Sequence, residues 1–237
     1  MKKIIRLTSI IALVIIIALV FVACKAKKTN YELVCEKVST SQQTLYVAND
    51  EHFYIKLSTT RQEELFIADG KVDKLIDLTI LTIVPKDAAN LNKTYEYTIA
   101  GEQEKLTGSI AKSKLGAMLV AKVSEIEKIG TPISITISEG ENVYTLELHD
   151  KMQGIISSEE ALEKGYNHFK EDIDSALATD TFDREGYVKL ITKRCSTDSE
   201  YYWYVSFIKD KSDYWSAIVD PSTGEIISSR KNTPAQK

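Results

Sequence analysis

Ser109 and Lys112 stand three residues apart in Ser109-Ile110-Ala111-Lys112, the spacing at which a lysine amine can take the proton of a serine nucleophile. That chemistry needs a helix start and partner motifs including Lys-Thr-Gly. The chain has no Lys-Thr-Gly and the pair lies among strand-like residues, so it predicts no catalysis. The three histidines, His52, His149 and His168, are far apart in sequence without a His-Glu-x-x-His spacing, and each reads as a surface or helix-face residue rather than a metal ligand. Glu171, Asp172, Asp174, Asp180, Asp183 and Glu185 gather in one stretch. Calcium would need six or more converging oxygens and the order of a known loop, which is missing, so they read as a solvated acidic surface. No Gly-x-Ser-x-Gly elbow or phosphate-cradling glycine loop occurs. The expectation is a protein that is not an enzyme and carries neither metal nor cofactor.

Cys24, Cys35 and Cys195 are the three cysteines, and their spacing disfavours the paired clusters that hold zinc or a redox dithiol. If Cys24 is used elsewhere, Cys35 and Cys195 remain as an even pair. They read either as a disulfide tying the first part of the chain to the last or as two separate, partly buried thiols. In the aromatic run Tyr201-Tyr202-Trp203-Tyr204, strand alternation turns Trp203, Val205 and Phe207 to a buried side and Tyr202, Tyr204 and Ser206 to the other. Tyr202 and Tyr204 are therefore candidates for a protein-interaction face, unless the rest of the chain covers them.

Met1-Lys2-Lys3-Ile4-Ile5-Arg6 followed by an unbroken apolar run of 14 residues, Ile10 to Ala23, has the parts of an export signal and is short for a membrane span. Phe21-Val22-Ala23-Cys24 resembles the lipobox of bacterial lipoproteins, with Phe21 where that family usually has leucine. The resemblance implies cleavage after residue 23 and a diacylglyceryl group on Cys24. The other reading is an uncleaved N-terminal helix. Both place the remainder outside the cytoplasm, at the extracytoplasmic face of the cell membrane, with residues 24–30 as a tether. Losing Lys2, Lys3 and Arg6 takes the formal charge from −4 to −7, and no basic patch large enough for nucleic acid is present.

Two regions follow. From 31 to 150, short alternating runs such as Phe53–Leu57, Tyr95–Ile99 and the hairpin Ile133 to Leu148 are separated by turn residues, and Glu64–Ile67 reads as a further strand ending at Asp69-Gly70. About eight such strands predict an all-β, immunoglobulin-like sandwich. From 154 to 230 the order is helix, then antiparallel meander. Ser157 and Glu160 have capping-box spacing, Leu162, Tyr166, Phe169 and Ile173 form one helical stripe, and strand-like runs begin at Tyr187, Tyr201, Tyr214 and Glu225.

This second region resembles the PepSY domain through Ile156-Ser157-Ser158-Glu159-Glu160-Ala161, Trp203-Tyr204-Val205-Ser206-Phe207 and the ending Trp215 to Ile227. The resemblance implies an α+β module that binds rather than catalyses, and a secreted or membrane peptidase as the partner it would inhibit or regulate. The expectation is thus a lipid-anchored extracytoplasmic protein that binds a protein partner. The alternative is an envelope protein that takes peptide, lipid or cell wall through the β region.

Overall fold

Runs rich in β-branched and aromatic residues form strands wherever one face can be covered, and here they all enter one hydrogen-bonded network. The computed structural model describes residues 28–113, 118–179, 182–192 and 200–234. Helix α1 (Asn30–Cys35) leads into β1 (Val38–Asn49), β2 (Phe53–Glu63), β3 (Leu75–Pro85), β4 (Tyr95–Gly101), β5 (Lys105–Lys112), β6 (Leu119–Val123), β7 (Pro132–Glu139), β8 (Asn142–Glu147) and the short β9 (His149–Asp150). Helices α2 (Ser158–His168) and α3 (Lys170–Ala178) then precede β10 (Glu185–Thr192), β11 (Tyr201–Ile208), β12 (Tyr214–Val219) and β13 (Ile226–Asn232).

These strands make a single mixed, open sheet of 13 strands in the order β13-β12-β11-β10-β1-β2-β3-β6-β5-β4-β7-β8, with β9 added to β1. The expected architecture, an immunoglobulin-like sandwich followed by a separate PepSY-like α+β domain, is therefore incorrect. Two pairings overturn it. β1 runs parallel to β10, setting Val38 against Gly186 and Ser41 against Val188, so the meander continues directly into the first region's sheet. β5 turns the corner between β4 and β6, pairing with β4 along its length and with β6 through Ala111 and Lys112. Alternation shows that a strand has a buried side, but carries no information about a partner more than a hundred residues away.

Two cores lie on this sheet. One joins Leu162, Tyr166, Phe169 and Ile173 of the helical stripe to Val188, Trp203, Val205, Phe207 and Trp215. The other is closed where the sheet curls over itself, with Ile55, Leu57, Leu81 and Ile83 clustered with Tyr95, Ile99, Ile135 and Leu146. β1 and β2 serve both, since Leu45, Val47 and Tyr54 join the first core and Ala48, Phe53 and Ile55 the second. That double use explains why three consecutive residues, Phe53, Tyr54 and Ile55, are all buried where one covered face would bury every other one.

The capping box forms as spaced. Ser157 Oγ accepts from the Glu160 amide at 3.1 Å and Glu160 Oε2 accepts from the Ser157 amide at 2.8 Å. The stripe is broken into two helices at Phe169, yet all four apolar residues remain buried. Gly165 allows the close approach of α2, because a Cβ there would fall 2.5 Å from Val205 Cγ1. Two local expectations fail. Residues expected at the end of the tether and the start of the β region form α1 instead, capped by Thr29 and Glu32. Glu64–Ile67 is no strand, since β2 ends at Glu63 and the chain turns into a loop that reaches β3.

Candidate functional site

Directly opposed residues on neighbouring strands share a face of the sheet. Register therefore places Ser41, Arg61 and Asp77 in one row across β1, β2 and β3, and Thr44, Thr59, Thr79 and Val123 in the next row across β1, β2, β3 and β6. A bulge between Gln42 and Thr44 leaves Gln43 unpaired and exposed above this floor. The buried Gln42 amide locks the bulge by donating to the carbonyls of Thr44 at 2.6 Å and Thr59 at 3.0 Å.

The floor lies under three cavities that share residues. The first, about 470 Å³, is walled by Tyr31 and Cys35 of α1 and by Ser158, Glu159 and Leu162 of α2. Tyr31 Oη donates to the Glu159 carbonyl at 3.1 Å and Ser41 Oγ to Ser158 Oγ at 3.2 Å, so both helices are tied at this end. Gln43 and Arg61 also line the second cavity, again about 470 Å³, with Asp77, Thr79, Lys122 and Glu125. Thr59, Ile126 and Glu127 carry it into a third of about 220 Å³ beside Tyr46 and Pro132. Together they form one groove from the helices to the turn Ile126–Ile129. Glu125, the one non-glycine residue with positive φ (61°) among the described residues, opens that turn, a strained conformation of the kind that collects at binding sites.

The groove is polar and its charges are open. The side chains of Arg61 and Asp77 are exposed on this face, and among the described residues neither makes a hydrogen bond or ion pair, while Lys122, opposite Ile80, is carried on the alternate face at the edge of the groove. Cys35 is an exposed thiol at the helical end. Partial desolvation at the end of α1, reinforced by the charges of Glu159 and Glu32, holds it above its ordinary pKa although Tyr31 hydrogen bonding pulls the other way, so it is a neutral lining group rather than a nucleophile.

The residues singled out from sequence are scattered. Ser109 and Lys112 lie on β5, where an odd spacing turns them to opposite faces, and Lys112 Nζ donates to Asn92 Oδ1 at 3.0 Å. His52 stacks 4.8 Å from the Tyr144 ring, His149 is on β9 and His168 ends α2. The acidic stretch divides into separate contacts, with Asp174 held by Lys170, Asp172 by Lys231 at 2.5 Å and Asp183 by Lys209 at 2.6 Å. Among the described residues no three His, Cys, Asp or Glu side chains converge as a metal site requires. Cys24, Asp180 and Cys195 fall outside the described residues. Trp203, Val205 and Phe207 are fully buried, while Tyr202 and Tyr204 are half-buried. Tyr202 Oη donates to Glu200 at 2.6 Å, and Tyr204 meets Tyr187, whose ring Phe66 covers at 5.8 Å. Sequence reasoning missed Gln43, Arg61 and Asp77. The single readable sign was charge inside strands whose other residues alternate.

Glu185, 0 % exposed at the start of β10, is the other polar anomaly. Ser39 and the amides of Asp69 and Gly70 are near it, yet no hydrogen bond of ordinary geometry reaches either carboxylate oxygen. Burial raises its pKa and the neighbouring Glu63 charge adds to the rise. Its stabilising contribution is full below the ordinary glutamate range and is lost as pH rises through the raised value. Glu185→Gln is therefore expected to melt with the parent near pH 4 and above it at about pH 8, as read by thermal scans. A variant less stable than the parent at about pH 8 would show that the ionised carboxylate has a favourable partner.

No family model, curated protein or solved structure matches the chain.

Proposed function

We propose that this protein is a membrane-anchored, extracytoplasmic binding protein that holds an extended segment of a partner polypeptide in the groove across β1, β2 and β3. The observation that carries the reading is the merging of three cavities over one face of the sheet, with the side chains of Arg61 and Asp77 left unpaired on it. A peptide suits such a surface because it offers charges of both signs, backbone donors and acceptors for the hydroxyl and amide floor, and apolar side chains for Val38, Leu75, Leu162 and Val188. A glycan would call for exposed aromatic platforms, and the groove has only Tyr31 and Tyr46. The peptidase expectation followed from the PepSY resemblance alone, and nothing in the groove selects a peptidase among polypeptides.

A peptide library screened against the purified protein should return ligands whose binding falls about 10- to 100-fold with Arg61→Glu, the scale of a lost charge-assisted hydrogen bond. Arg61 is exposed but stands opposite Asp77, so stability should fall by no more than about 1 kcal/mol, the scale of a like-charge cross-strand pair. Ligands that bind Arg61→Glu as tightly as the parent would remove the groove from the account. For the anchor, Cys24→Ser is expected to lose the acyl-labelled mature form in cells, and an unchanged labelled band would contradict lipidation.

A further inference from the structure

The loop between β2 and β3 holds three consecutive apolar residues that no core uses fully. Leu65 is 78 % exposed and Ile67 61 %, with Phe66 turned inward onto Tyr187. This loop is fixed rather than loose. Glu64 receives the Lys74 ammonium at 2.9 Å, and the Asp73 amide donates to Glu63 Oε1 at 2.5 Å. Gly70, at φ +76°, lies so close to the segment entering β10 that a Cβ would fall 1.8 Å from the Asp183 carbonyl oxygen. The loop's other acids are turned to its own backbone, Asp69 accepting from the Lys71 amide and Asp73 from the Lys74 amide. The Lys71 ammonium has no partner among the described residues.

A relay of three contacts links the loop to the segment from which the chain leaves toward its N-terminus. Lys28 is paired with Glu36, the next residue Lys37 donates to the Phe182 carbonyl, and Asp183 beside it abuts Gly70. From Cys24 to Lys28 four residue steps span at most about 14 Å. A lipid on Cys24 would thus hold this end of the molecule against the bilayer surface.

We infer that the 64–74 loop is a second membrane contact, in which Leu65 and Ile67 enter the outer edge of the acyl region and Lys71 meets lipid phosphate. The inference rests on the anchored reading of the N-terminus. A rigid loop tip with outward apolar side chains and a free cation beside them is the chemistry an interfacial anchor needs, while Asp69 and Asp73, bonded only to backbone amides, keep their charges toward water. Combined with the N-terminal anchor, it would fix the orientation of the groove relative to the membrane.

The test uses the full chain carrying Leu65→Trp, held by its own N-terminal anchor in vesicles of phosphatidylcholine and phosphatidylglycerol. Native Trp203 and Trp215 are buried, so aqueous acrylamide reads chiefly the introduced indole. Val143→Trp, at an exposed position on the edge strand β8, supplies the comparison. The indole at position 65 should be quenched by brominated acyl chains and be several-fold less accessible to acrylamide than the indole at position 143. Equal acrylamide access at both positions, with no quenching by brominated lipid, would overturn the contact. Protection from acrylamide without lipid quenching would also overturn it, and would point to a protein on the loop. The intact mass of the same preparation shows whether Cys24 is acylated, so failure of the anchor and failure of the loop are read separately.

Discussion

Replacing Asp213 by alanine is expected to destabilise the protein by about 3–5 kcal/mol, the scale of leaving one partner of a buried ion pair uncompensated. Arg184 is 7 % and Asp213 8 % exposed, and Arg184 Nη2 donates to Asp213 Oδ1 at 2.7 Å. The guanidinium lies over the Trp215 ring, 4.0 Å from its centroid, and its Nη1 is already buried without a partner. Water cannot replace the lost carboxylate without opening the entry to β10 and β12. At about 2–4 °C per kcal/mol for a chain of this size, Tm should fall by roughly 6–20 °C. The double change Arg184→Met with Asp213→Leu should recover most of the loss, because two apolar side chains leave no orphan charge. Denaturant melts of the three proteins check this, and a loss under about 1 kcal/mol for Asp213→Ala would place the pair among exposed bridges.

Trp203→Ala is expected to be equally severe, at about 3–5 kcal/mol. The indole is fully buried among the residues of α2 and β11, and its Nε1 donates to the Ile156 carbonyl at 3.1 Å. Alanine would leave a cavity and an unsatisfied carbonyl at the entry to α2, whereas Trp203→Phe keeps most of the packing and should lose only about 1–2 kcal/mol. Both tryptophans are in the helical core, while far-UV circular dichroism follows the strands of both halves. Since β1 and β2 contribute to both cores, fluorescence and dichroism should shift together in these variants. Separate transitions would mean that the halves unfold independently.

Local structure was legible in the residues and long-range pairing was not. The Ser157–Glu160 capping box, the stripe from Leu162 to Ile173 and the buried set Trp203, Val205 and Phe207 follow from spacing alone, because each is decided within a turn or two of chain. The parallel contact of Val38 to Ser41 with β10 depends on residues nearly 150 positions apart, so a continuous sheet read as two domains. Helix α1 carries a Thr29–Glu32 capping box like the Ser157–Glu160 box of α2, but its six residues are too short to show a stripe. The consecutive apolar residues Phe53, Tyr54 and Ile55, all buried, were the sequence sign that β2 is covered on both sides. The groove was hidden for a further reason. Its floor residues come from four strands, and Gln43 reaches it through a bulge that no alternation pattern reveals.

Gln43, exposed and shared by the two larger cavities, is the place to probe the groove in its own setting. A photo-crosslinking amino acid at position 43 of the full chain, activated on intact cells, should join the protein to a discrete polypeptide, and Arg61→Glu in the same chain should abolish the product. A crosslink that persists undiminished with Arg61→Glu, or no polypeptide product with the protein present at its normal level, would contradict a groove that holds a peptide segment.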